Sequence, residues 1–67
     1  MTVWVLFWDS HDSRGVIGVY ATFHAATKDW EFYRSNDNAL RNRIGEYILD
    51  VWIDDDWSEA IKEYEVI

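Results

Sequence analysis

The chain has 67 residues with no Cys and no Pro, is 49% hydrophobic and 18% aromatic, and carries a formal net charge of −7. That length makes one domain, residues 1–67, near the lower limit for folding without staples, and the missing Cys excludes disulfides and thiolate zinc sites. The apolar content excludes a disordered tail, and the acidic balance disfavours direct contact with a nucleic-acid backbone or an anionic membrane, since both require a basic footprint.

The first element is Thr2–Trp8, a run of β-branched and aromatic residues. Strand alternation puts Trp4, Leu6 and Trp8 on one side and Val3, Val5 and Phe7 on the other. A strand apolar on both sides belongs in the middle of a sheet. No signal peptide is expected, because the run has no basic lead-in and stops at Asp9; it is also too short to span a bilayer.

Residues 9–15, Asp-Ser-His-Asp-Ser-Arg-Gly, read as a hairpin loop. Val16–Phe23 follows as a strand, with Ile17, Val19 and Ala21 on one side and Val16, Tyr20 and Thr22 on the other. Gly18 within it marks a bulge or a close neighbour. Thr22 caps a helix over about His24–Arg34 whose apolar side is Ala26, Trp30 and Tyr33. Residues 35–38, Ser-Asn-Asp-Asn, interrupt the pattern and offer a second N-cap.

From Ala39 two readings compete. Leu40, Ile44, Tyr47, Ile48 and Val51 form a helical stripe with Glu46, Asp50 and Asp54 lined up away from it. As a strand, Tyr47, Leu49, Val51 and Ile53 alternate, with Gly45 as the break before them. The helical pattern matches more positions over a longer span, so it predicts a helix to about residue 52. Asp54–Asp56 stops that element, and residues 60–67 form a last strand, with Tyr64 and Val66 one way and Ile61 and Ile67 the other.

The predicted fold is therefore α+β, in the order β-β-α-α-β, with a three-stranded antiparallel or mixed sheet. A right-handed crossover returns the last strand beside Thr2–Trp8, parallel to the second, which makes the first strand central. Helices cover one face. The other still shows large apolar side chains, so a homodimer or a partner-dependent surface is expected, with Trp4, Leu6 and Trp8 as the self-association residues.

Three stretches also resemble a group of small uncharacterised phage and bacterial proteins. They are Val3-Trp4-Val5-Leu6, then Gly15-Val16-Ile17-Gly18-Val19-Tyr20-Ala21-Thr22, then Ile61-Lys62-Glu63-Tyr64-Glu65-Val66. That group reads as a "VYVL" strand, an "IGVYST" strand leading into a helix with a buried Ala (here Ala25 or Ala26), and a terminal "I-x-E-Y-E-V" strand. The likeness covers about half the chain. It departs at His24, where the group often has an acidic residue, and across 36–57. The resemblance implies a hairpin, helix, strand fold, a phage origin and hence the cytoplasm of a bacterial host; it transfers no catalytic residues.

Charge is segregated along the chain. Residues 1–45 balance Asp9, Asp12, Asp29, Glu31 and Asp37 against Arg14, Lys28, Arg34, Arg41 and Arg43. Residues 46–67 set Glu46, Asp50, Asp54, Asp55, Asp56, Glu59, Glu63 and Glu65 against Lys62 alone, so the whole charge of −7 falls there. The complement of such a surface is a basic protein partner. Trp52 and Trp57 flank the Asp run and are the residue type that anchors interfaces.

Chemistry has weaker signals. Asp9, His11 and Asp12 share a loop, but a metal needs three or four converging ligands, and a triad with Ser10 needs a spatial constellation. Asp54, Asp56, Ser58, Ala60, Lys62 and Glu65 fall on the ligand positions of a calcium loop, yet Glu59 stands where the turn needs Gly and Lys62 places a cation among the ligands. No phosphate loop or nucleophile motif is present, and an enzyme, a metal or a cofactor is not expected. The leading expectation is an acidic inhibitor that mimics DNA on the basic surface of a nuclease, repair enzyme or defence complex. The partner-binding residues would be Glu46, Asp50, Trp52, Asp54, Asp55, Asp56, Trp57, Glu59, Glu63 and Glu65. The alternatives are a self-associating assembly module and a small-molecule or sugar binder that stacks on Trp.

Overall fold

The computed structural model describes residues 1–45 and 50–67. Its elements are β1 (Thr2–Asp9), β2 (Arg14–Tyr20), α1 (Phe23–Ser35), α2 (Asp37–Ile44), α3 (Trp57–Ala60) and β3 (Ile61–Glu65). The strands form one sheet in the order β2-β1-β3, with β1 antiparallel to both neighbours. The protein is thus an α+β fold with the first strand central, and β3 runs parallel to β2.

The β1–β2 connection is a short polar loop in which the Ser10 N–H donates to the Ser13 carbonyl at 2.9 Å. Along the hairpin, Trp4 pairs with Tyr20, Val5 with Val19 and Leu6 with Gly18; the register then shifts, and Phe7 pairs with Val16 and Trp8 with Gly15. Ile17 is the extra residue of this β-bulge. The bulge turns Ile17 into the core, where it is 1% exposed, and leaves both Val16 and Val19 on the opposite face. The alternation expected for this strand is corrected accordingly: Ile17 and Tyr20 face the helices, Val16 and Val19 do not. The carbonyl that the bulge removes from the ladder finds another donor, the Arg43 guanidinium from the last turn of α2 at 2.6 Å.

The two glycines of β2 make room on the helix side. A Cβ at Gly15 would collide with the Trp8 indole, and a Cβ at Gly18 would meet the Tyr20 hydroxyl. That hydroxyl donates to Asp29 on α1 at 2.5 Å. Burial, together with Asp29, holds the Tyr20 phenol well above its ordinary value.

α1 begins where Thr22 was predicted to cap it: its side chain accepts from the Ala25 N–H at 3.1 Å. Asn36 ends α1 and caps α2, accepting from the Ala39 N–H at 3.1 Å. The predicted helix to about residue 52 is corrected at Gly45, the C-cap of α2, whose φ of 104° ends the helix in the left-handed region. Tyr47, Ile48 and Leu49 lie outside the described residues. Beyond them Val51 and Ile53 are buried while Trp52 points out, so this segment follows the strand-like alternation instead.

Leu6, Trp8, Ile17, Ala26, Leu40, Val51, Ile53, Ala60 and Ile61 form the core between the sheet and the helices, with Trp4, Tyr20, Phe23, Trp30, Tyr33 and Ile44 packed against it. The surface expected for self-association, Trp4, Leu6 and Trp8, is therefore filled from within. These residues face the helices, and Leu6 is completely buried. Among the described residues no helix covers the opposite sheet face, which bears Val3, Val5 and Phe7.

Candidate functional site

Residues 50–65 carry the acidic groups, and local chemistry fixes their path. Asp50 adopts a positive φ of 55°, a conformation that Asp tolerates better than bulkier residues. Buried Val51 and Ile53 pin the segment to the core. Between them Trp52 bridges to the end of β1, with its N–H donating to the Asp9 carbonyl at 2.9 Å and its carbonyl accepting from the Asp9 N–H at 2.8 Å. Its side chain is 41% exposed and meets the His11 ring edge-on, 5.3 Å between centroids.

The Asp run then turns tightly. The Asp54 carbonyl accepts from the Trp30 indole N–H at 2.9 Å, which ties the segment to α1. The Asp54 side chain accepts from the Asp56 N–H at 2.9 Å, and Asp56 caps α3 by accepting from the Ser58 N–H at 3.0 Å and the Ser58 hydroxyl at 2.7 Å. Those bonds from Ser58, the hydroxyl first, hold the Asp56 carboxyl below its ordinary value. Asp55 projects into solvent 3.5 Å from Arg34, whose guanidinium lies 4.3 Å above the Trp30 ring. A cleft of about 460 Å³ opens between this turn and the helices; Trp52, Asp54, Asp55, Tyr33, Arg34 and Asp37 are among its lining residues.

Trp57 is 48% exposed and sits edge-on to Phe23 at 5.1 Å, which in turn lies 5.0 Å from Trp4. Trp52 is thus seated at the Asp9 end of β1, and Trp57 connects through Phe23 to the Trp4 end. At strand rise those two positions on β1 are about 17 Å apart. Glu63 and Glu65 lie on β3 opposite Trp4 and Thr2, on the helix side of the sheet. Glu65 also accepts from the Thr2 hydroxyl at 3.2 Å. Glu59 lies 3.7 Å from Lys62.

The structure therefore brings Trp52, Asp54, Asp55 and Asp56 into one turn, carries Trp57 and Glu59 on α3, and sets Glu63 and Glu65 along β3. Glu46 lies outside the described residues. The helical line expected through Asp50 and Asp54 is not formed, because both sit in irregular backbone. Asp9, His11 and Asp12 do not converge with other ligating groups: among the described residues no three His, Cys, Asp or Glu side chains are placed to hold a metal ion. The calcium-loop spacing is also pulled apart, since Ala60 ends α3 and Glu65 lies at the far end of β3 beside the N-terminal amine. Among the described residues no helix is long and apolar enough to cross a membrane.

Sequence reasoning missed the groups that hold the site, namely Trp30, Arg34 and Phe23. The four-residue spacing of Trp30 and Arg34 on α1 signals their mutual contact, but nothing local in the chain signals that they meet residues 54 and 55. No protein-family model, curated protein or solved structure matches this chain.

Proposed function

We propose that the protein is a small acidic binding protein that occupies the basic, nucleic-acid-handling surface of another protein and inhibits it by imitating DNA. One observation carries the reading: all of the net charge falls in residues 46–67, where exposed Trp52 and Trp57 bracket the Asp54–Asp56 turn. Duplex DNA presents a charge about every 1.7 Å along its axis, and Asp54, Asp55, Asp56, Glu63 and Glu65 are read as part of such an array, with Glu59 partly offset by Lys62. The two Trp side chains supply the apolar anchors that charge alone lacks. The resemblance to small uncharacterised phage and bacterial proteins is compatible with an inhibitor of a host nuclease, repair enzyme or defence complex acting in the bacterial cytoplasm.

The test is affinity capture from bacterial lysate with the wild type and the Asp54→Asn/Asp55→Asn/Asp56→Asn variant. Asn keeps the acceptor oxygens that serve the Asp56 N–H and the Ser58 cap, and Asn caps helices about as well as Asp, so the variant changes charge and not shape. The reading expects a nucleic-acid-handling protein that the wild type retains at low salt, that is released by moderate salt or excess duplex DNA, and that the variant fails to retain. Retention of the same partner by both proteins at both salts would refute it.

A further inference from the structure

The sheet face away from the helices carries Val3, Val5 and Phe7 of β1, Val16 and Val19 of β2, and Lys62 and Tyr64 of β3, by the register of the two pairings. An antiparallel sheet with a solvated face ordinarily alternates apolar-in and polar-out. Here every central position of the outer face except Lys62 is apolar or aromatic. Val16 is 52% and Val19 62% exposed, and Tyr64 and Val66 are exposed as well, on either side of the central Val5, which is 9% exposed. The bulge at Ile17 contributes directly, because it keeps both Val16 and Val19 on this side.

We infer that this face is a docking surface for a second copy of the chain, giving an isologous dimer in which two sheets stack face to face. Two features select a copy over another occupant. The first is charge. Arg14 lies 4.4 Å above the Phe7 ring and 3.3 Å from Asp9, and Lys62 lies 3.7 Å from Glu59, so the charges on and beside the face are already paired. Glu63 and Glu65 alternate to the helix side of β3, and the Asp54–Asp56 turn hangs from α1. A basic partner finds no free acid on this face, whereas a twin meets a neutral, self-complementary patch and keeps its acidic segments on the outside.

The second feature is area. Val16, Val19, Tyr64 and Val66 are 44–62% exposed, and together they make a patch of the order that a typical monomer leaves open at most, a few hundred Å². Stacked sheets pack about 10 Å apart with interdigitated side chains. Two such patches with their rims bury roughly 1,000–1,200 Å² in total, which is the lower bound of a specific interface and marks a reversible dimer. The inference stands whether or not the acidic segment binds a basic partner.

Sedimentation velocity from micromolar to millimolar concentration tests it, on the wild type and on Val19→Lys and Val16→Lys as separate variants. Lys is tolerated on an exposed edge strand, and far-UV circular dichroism verifies the fold of each. The wild type is expected to dimerise within that range, and to do so equally or more tightly in higher salt, because salt screens the repulsion between two chains of charge −7. Each Lys variant brings like charges together across the two-fold axis and is expected to weaken dimerisation roughly 100-fold. The triple Asn variant, which disables partner capture, is expected to dimerise at least as well as the wild type. A wild type that stays monomeric at millimolar concentration overturns the inference, as does a dimer that neither Lys substitution weakens.

Discussion

The tether between Trp30 and the Asp54 carbonyl joins fold to site, and Trp30→Phe isolates it. Phe keeps a ring of similar placement but removes the indole N–H that donates at 2.9 Å and leaves a weaker platform for Arg34. Loss of one part-buried hydrogen bond costs about 1 kcal/mol. The smaller ring gives up roughly 40 Å² of apolar contact, worth about 1 kcal/mol. The cation–π contribution of the half-exposed Arg34 adds at most about 0.5 kcal/mol. The expected destabilisation is therefore about 2 kcal/mol, or a fall in Tm of roughly 8–16 °C for a domain of this length. Urea unfolding followed by circular dichroism measures it without relying on Trp fluorescence. Hydrogen exchange supplies the local readout, because the Trp52 N–H, bonded to Asp9, is expected to lose more protection than the amides of β1. A change below about 0.5 kcal/mol, the ordinary range for a surface substitution, with unaltered exchange at Trp52, would refute the claim that Trp30 holds the acidic segment.

Gly15→Ala drives a methyl group into the Trp8 indole; thermal melts are expected to show a loss of about 1–3 kcal/mol from overpacking. Alkaline pH gives an independent check on Tyr20. Its phenol binds its proton more tightly in the folded than in the unfolded chain, so its contribution is complete below the ordinary phenol value near 10 and is lost as pH rises above it. Stability profiles are expected to decline above that point in the wild type and to flatten in Tyr20→Phe.

The order of the strands and of the first two helices was legible because it rests on local signals: a strand apolar on both sides, Thr22 and the 35–38 break as caps, and the Ala26, Trp30, Tyr33 spacing; the one-turn helix α3 was not expected. The faces of β2 were not legible, since one extra residue inverts every side chain after it. Gly18 flagged a bulge without saying whether Val16 or Ile17 would turn inward. In the observed arrangement Arg43, distant in sequence, supplies a donor for the Ile17 carbonyl. The helix predicted past Gly45 failed for a related reason. Its stripe counted Val51 as helical, yet Val51 reaches the core from irregular backbone after a left-handed glycine has ended α2. A buried residue satisfies either period, and only the backbone at Gly45 distinguishes them.

The candidate site was legible as composition and illegible as placement. The Asp run and its flanking Trp residues stand out in the sequence, but their consequence depends on β3, where alternation sorts neighbouring residues to opposite sides. Glu63 and Glu65 go to the helix side, while Lys62 and Tyr64 go to the other sheet face. Alternation in one five-residue strand thus gives the protein two unlike surfaces, one negative with exposed indoles and one neutral and apolar. Under the two proposals the surfaces respond differently to ionic strength: an acid–base contact weakens as counterions accumulate, and an apolar contact between like-charged chains does not. A single salt series on both partner capture and self-association therefore separates the surfaces without a substitution, and a common salt response would mean that one surface performs both contacts.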